Sequence, residues 1–348
     1  LFTGTSNRTH EDISREIEKK GGVLNAFTAH EVTSYWFKIP SEHLFAGLDI
    51  LIDMLKNPKF DKEKFEKEKR VILEEIKMYH DEPRRSAMEM IEKNMYEKPF
   101  GELIIGSKET VSGLDRDFVA DYFKRHYSPE NYIVTIVGDA DFEKVCDYLE
   151  KNFAVEGKKL SMKKIGLKKG ESVEERNDLD QAHFVFGVHA PLPNDEEHYA
   201  LEVLDAYLAN GMSSKLFLEI REKRGLAYAV KSSIDAEKNY SNYLIYVGTT
   251  KEAVPEVKKL ILNGFADVEK MTEKELEEAK QRVIGLRDVT SEESSSVMNE
   301  LMFAELAGDA GNYYEYEERI RRVDLGSVKR LAKELIKKGY STASVVPK

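Results

Sequence analysis

Two glutamates, Glu68 and Glu75 in FDKEKFEKEKRVILEEIKMYHDEP (residues 60–83), are the pair whose type and spacing could do chemistry. They stand seven residues apart, two turns of a helix, so both fall on nearly the same side, beside a stripe of Phe65, Ile72 and Ile76. A carboxylate removed from water is costly unless it is paired, protonated or bound to a cation. The pair therefore either holds charge for a purpose or sits at the edge of the stripe and reaches solvent, and for this helix alone the solvent-facing arrangement is the commoner one. Asp61 is placed to cap the helix and Pro83 to stop it.

The totals bound what such a pair could serve. The chain has 348 residues, too many for one ordinary core and suited to two domains. Hydrophobic residues at 41% fill two interiors, while charged residues at 34% describe a heavily solvated surface and lean towards a heat-tolerant source. A net charge of −11 argues against a general phosphate-binding surface, which makes nucleic acid a poor partner and a basic or unfolded polypeptide a better one. Cys146 is alone, excluding an internal disulfide and a cysteine-rich metal site. No apolar run reaches transmembrane length and no secretory leader opens the chain, which starts at Leu1; the compartment stays open, with the cytoplasm favoured.

Around the glutamates, the pattern predicts a helix at 10–20 ended by Gly21-Gly22, strands at 23–29 and 33–39, and a helix at 41–56. After the carboxylate helix come helices near 84–96 and 115–126, a buried strand at 131–138 (NYIVTIVG) and a helix at 141–152. A second set follows: a strand at 183–190, a helix at 195–208, a helix at 215–224, strands at 227–234 and 243–249, helices at 254–268, 273–289 and beyond, and a strand at 342–347.

The order repeats. EIEKKGGVLNAF (16–27) lines up with EIREKRGLAYAV (219–230), and the carboxylate helix with TEKELEEAKQRVIGLR (272–287). The expected fold is α+β, two homologous domains, each a mainly antiparallel sheet with helices packed on one face. Its domains are 1–157, a linker at 158–175, and 176–348. In the second copy Ala279 and Leu286, or Lys280 and Arg287 one residue on, stand where the first has Glu68 and Glu75. That copy also spends residues 181–208 on a strand and a helix with no equivalent in the first, so the repeat predicts a strand and a helix ahead of Leu1.

LFTGT, EIEKKGGVLNAFTAHEVTSYWF, EKEKRVILEEI, YSPENYIVTIVGD and GMSSKLFLEIREKRGLAY together resemble the insulinase and pitrilysin zinc metallopeptidases, in the size class of the mitochondrial processing peptidases. That resemblance implies a Zn2+ cofactor and a His-x-x-Glu-His motif whose two histidines bind the metal and whose glutamate acts as base. The motif is expected just upstream of Leu1. The eight histidines stand at 10, 30, 43, 80, 126, 183, 189 and 198, none four from another, so these 348 residues are expected to be inert by themselves.

The resemblance matches Glu75 to the family's third metal ligand and Glu68 to the acid that supports it. Asn25, Ala26 and Thr28 match the edge strand on which substrate is laid as an added strand. Arg221 and Tyr228 match the arginine and tyrosine that reach the scissile carbonyl from the second half of a clamshell. The implied activity is endopeptidase cleavage of short or unfolded peptides inside an acidic chamber, by a homodimer or by a heterodimer with a paralogous subunit. The family also includes inactive partner or scaffold subunits, and that is the alternative; the retention of Glu68 and Glu75 argues against it.

Overall fold

The computed structural model describes residues 1–153, 158–161 and 164–348. The chain folds as two compact units: Leu1–Met78, Ile104–Lys163 and Ser294–Met302 form one, and Tyr79–Leu103, Lys164–Glu293 and Phe303–Lys348 the other.

In the first unit, α1 (His10–Glu18) opens with a reciprocal cap in which the Thr9 hydroxyl accepts from the Asp12 amide and the Asp12 carboxylate accepts from the Thr9 amide. Strands β1 (Val23–Thr28) and β2 (Thr33–Lys38) form an antiparallel hairpin in register from Val23↔Lys38 to Thr28↔Thr33. The 3-10 turn Ser41–His43 leads into α2 (Leu44–Lys56), whose apolar stripe faces two ways. Ile50 and Met54 meet Ile13 and Ile17 of α1, with Leu24 and Tyr35 of the hairpin against them. Leu48 and Ile52 meet Val145 of a later helix, with Phe37 and Ile136 alongside.

Then come α3 (Lys62–His80), which crosses from the first unit into the second, and α4 (Pro83–Met95), which belongs to the second. The first unit resumes with α5 (Lys108–Ser112), α6 (Arg116–His126) and α7 (Phe142–Phe153).

The second unit is built on a five-stranded sheet. Its elements are β3 (Glu171–Arg176), β4 (Ala182–His189), α8 (Glu197–Leu208), a π-helical turn (Phe217–Glu222), β5 (Ala227–Ala236), β6 (Ser241–Thr249), α9 (Val254–Asp267), α10 (Glu273–Thr290), α12 (Asn312–Arg322), α13 (Leu325–Lys337) and β7 (Ser341–Pro347); α11 (Ser294–Ala307) is divided between the units. The strand order is β3-β7-β4-β6-β5, parallel only between β3 and β7. Period-two alternation sends Phe184, Phe186 and Val188 of β4 into the core shared with α8, α9, α10 and α13, and Val185 to the opposite face.

Several expectations change here. The architecture is α+β with mainly antiparallel sheets, but the second sheet is covered on both faces, because Ala87, Ile91 and Met95 of α4 pack on Val185, Leu244, Tyr246, Ala343 and Val345. The order α2, α3 after the first hairpin matches α9, α10 after β5 and β6, as the internal repeat implies.

Residues 131–138 do not form a strand: no ladder partner lies beside them among the described residues, and Ile133 and Val134 are exposed. β-branched content favours a pleated surface, but a strand exists only by pairing. Within the expected linker 158–175, residues 171–175 belong to β3, which the parallel ladder to β7 draws into the sheet, while Met162 and Lys163 lie outside the described residues.

Candidate functional site

Two lysines fasten α3 to its own unit. Lys64 Nζ donates to the Thr3 carbonyl at 2.7 Å, and Lys69 Nζ donates to the carbonyls of Ser112 and Leu114 at 3.0 and 2.9 Å. Asp61 caps the helix as expected, accepting from the Lys64 amide at 3.1 Å. No residue of α3 is fully buried, so the expected inward face is a shallow one. Glu68 is exposed and Glu75 half-buried.

What faces this helix is the loop that opens the chain. The contact runs through Lys64 of α3, which holds the Thr3 carbonyl of that loop. The loop is in turn held by Asp53 of α2, a buried carboxylate in the midst of an apolar run. Asp53 accepts from the Thr5 hydroxyl at 2.6 Å, Asn7 Nδ2 at 2.6 Å, Asn57 Nδ2 at 2.8 Å and Arg8 Nη1 at 3.0 Å. Burial alone would raise its pKa; the four donors more than offset that and hold it below the usual carboxylate range.

A hydrolytic zinc site uses three protein ligands and leaves one position for water. Among the described residues, no three of His, Cys, Asp and Glu come together as a metal would require. Glu75, with Glu68 two turns away, offers carboxylates without the imidazoles that zinc prefers, so these residues do not fit the metal on their own.

The hairpin presents β1 as an unpaired edge among the described residues. Asn25 pairs across to Trp36, Ala26 to Tyr35 and Thr28 to Thr33. The Ala26 amide donates 2.8 Å to Asn25 Oδ1, its neighbour's side chain. That donor lies outside the ladder, capped by a group that an incoming carbonyl can displace.

Arg221 and Tyr228 sit in the second unit. The helix expected at 215–224 is a π-helical turn at its centre, carrying an exposed Arg221 whose guanidinium lies 4.9 Å from the Phe217 ring and 3.9 Å from Glu222. Gly225, at φ 62°, reverses the chain into β5. Tyr228 occupies the register shift between Ala227 and Ala229, is 48% exposed, and places its hydroxyl 3.0 Å from that of Tyr246.

Family models match the chain in two pieces, "Insulinase (Peptidase family M16)" over residues 1–108 and "Peptidase M16 inactive domain" over residues 113–283. The chain is 30% identical to the uncharacterized zinc protease YmxG of Bacillus subtilis, aligning over 100% of itself and 86% of that protein. It is 32% identical to the uncharacterized zinc protease ML0855 of Mycobacterium leprae, over 100% of itself and 80% of that protein.

This chain belongs to peptidase family M16, the insulinase family.

Solved structures agree on the fold. The match to a protease from Helicobacter pylori has a TM-score of 0.91 at 22% identity, covering 99% of this chain and 86% of that one. The match to a peptidase M16 inactive domain from Pseudomonas fluorescens has a TM-score of 0.90 at 17% identity, covering 99% and 85%.

Two features of this M16 chain escape sequence reasoning. Asp53 reads as one of two acids in LDILIDMLK, and its only signal is a carboxylate at a core position of a helical stripe. Tyr246 and His183, behind Tyr228, lie in almost continuously buried strands that mark them as sheet residues and nothing more. In the second unit, Arg287 of α10 lies over the rings of Tyr313 and Tyr316, and Lys280 is buried against Glu277 and the Arg321 carbonyl.

Proposed function

We propose that this M16 protein is a zinc-dependent endopeptidase of short or unfolded peptides, with Glu75 as its carboxylate metal ligand and Glu68 as the acid supporting it. The observation that carries the reading is the asymmetry between the repeats. α3 keeps two acids two turns apart beside the Leu1 loop, while its counterpart α10 has Ala279 and Leu286, or Lys280 and Arg287 one residue on, at those positions and so holds no acid there. The relatives' names as zinc proteases support the metal.

Zinc would need two further ligands besides Glu75, and the resemblance assigns them to the two histidines of a His-x-x-Glu-His segment preceding Leu1. The β1 edge at Asn25, Ala26 and Thr28 would hold the peptide by backbone hydrogen bonds, which suits unfolded substrates of varied sequence. Arg221 offers fixed donors to substrate carbonyls, and the Tyr228 hydroxyl a donor to the tetrahedral oxyanion. A homodimer, or a heterodimer with a paralogue, would bring these groups together around an enclosed chamber.

The second reading is an inactive partner subunit, favoured by the inactive-domain model that matches residues 113–283. Metal analysis of the protein extended upstream of Leu1 to include the His-x-x-Glu-His segment, with cleavage of an unfolded fluorogenic peptide by wild type and Glu75→Gln, decides between them. One zinc per chain and turnover, both lost in the variant, support the peptidase; neither in the wild type means the partner subunit.

A further inference from the structure

We propose that Tyr246 and His183 position the Tyr228 hydroxyl by fixing the direction of a three-member hydrogen-bond chain, so that Tyr228 donates its proton outward. What the outward proton does rests on the peptidase reading; the chain of hydrogen bonds does not.

The geometry starts at the bulge. The ladder between β5 and β6 skips Tyr228, and the ring turns down onto Gly248 of β6, where a Cβ would lie 2.2 Å from Tyr228 Cε1. Glycine is therefore required at 248 for the ring to lie on the backbone. In that pose the Tyr228 hydroxyl meets the Tyr246 hydroxyl at 3.0 Å. Tyr246 is 4% exposed, and its hydroxyl is also 2.9 Å from His183 Nδ1 on β4. Arg84 of α4 lies 4.8 Å from the Tyr246 ring. Burial raises the pKa of the Tyr246 hydroxyl, which stays protonated.

Each hydroxyl has one proton, so the chain can run two ways. Inward, Tyr228 donates to Tyr246 and Tyr246 to an unprotonated Nδ1; the Tyr228 proton is then consumed and cannot reach an oxyanion. Outward, Nδ1–H donates to Tyr246, Tyr246 donates to Tyr228, and the Tyr228 proton faces solvent. His183 is held neutral by burial and by the charges of Arg84 and Arg176. A neutral ring has one N–H, and its tautomer sets the direction of the whole chain. The outward direction puts the negative end of the aligned dipoles at His183, the end that feels both arginines, and the positive end at the exposed Tyr228. Electrostatics therefore select it.

Long-range proton–nitrogen correlation on the histidine-labelled protein reads the tautomer directly. The Nδ1–H form is expected for His183, giving way to the Nε2–H form in Tyr246→Phe; the Nε2–H form in the wild type would overturn the proposal. In kinetics, Tyr246→Phe should lower kcat about tenfold with KM unchanged, and add nothing to the loss in Tyr228→Phe. An independent, additive loss in the double variant would show that Tyr246 does not act through Tyr228. No peptidase activity in the wild type extended upstream of Leu1 would sink the peptidase reading and leave the tautomer result to decide this one.

Discussion

Arg8 and Asp53, forty-five residues apart, form an ion pair at 3.0 Å that closes the opening loop of the first unit onto α2. Thr5, Asn7 and Asn57 give the same carboxylate further donors. Asp53→Asn keeps the shape and removes the charge, and should cost about 2 kcal/mol in chemical denaturation at neutral pH. Because the folded-state pKa of Asp53 is depressed, its contribution is present above the unfolded value of about 4 and is lost as pH falls through the folded value. The variant should therefore lose less stability than wild type on acidification; an equal loss in both would remove Asp53 from the acid-sensitive groups.

Asp205 in α8 should show the opposite sign. Burial raises its pKa, with Asn210 Nδ2 donating at 3.1 Å and the Arg282 charge offsetting part of the rise. A carboxyl whose folded pKa is raised favours folding below its unfolded pKa of about 4, and that contribution falls away as pH climbs through the raised value. Asp205→Asn should flatten this decline, so that denaturation midpoints of variant and wild type draw together at pH 4 and separate at pH 8 in the variant's favour. A wild type that is relatively more stable at pH 8 contradicts the sign.

Glu75 and Glu68 should differ in kind. If Glu75 is the ligand and Glu68 its support, Glu75→Gln abolishes stoichiometric zinc, whereas Glu68→Gln weakens zinc binding about 10- to 100-fold and leaves it measurable by competition with a chelator. Equal retention by both variants would refute the assignment of α3 to the metal.

The β1 edge can be tested without touching an acid. The Ala26 amide donates to Asn25 Oδ1 and not to β2, so Ala26→Pro removes the edge donor without removing a ladder bond. Peptide KM should rise about tenfold or more while the thermal midpoint moves by only a few degrees. An unchanged KM would mean that substrate does not add to this strand.

Much of this was legible from local pattern. The hairpin, α2, the capped start of α3 at Asp61, the sheet strands β4 to β7 and the duplicated order follow from periodicity and capping residues, which act over a few residues along the chain. Glu68 and Glu75 stood out because carboxylates beside an apolar stripe break the pattern. The misses share one cause. Residues 131–138 have strand composition but lack a partner, residues 171–175 have a linker's flank but gain one in β7, and α4 carries an ordinary amphipathic pattern that does not announce which face of which sheet it covers.

The sequence by itself determined the family, the α+β class, the repeat and the residues with chemical potential, since those reside in residue types and their spacing. Tertiary structure alone decided that Asp53 gathers Thr5, Asn7, Arg8 and Asn57, and that a bulge and Gly248 bring Tyr228 against Tyr246 and His183. Those contacts join positions tens of residues apart. Directed hydrogen bonds and close packing set them in three dimensions, where spacing along the chain carries no signal.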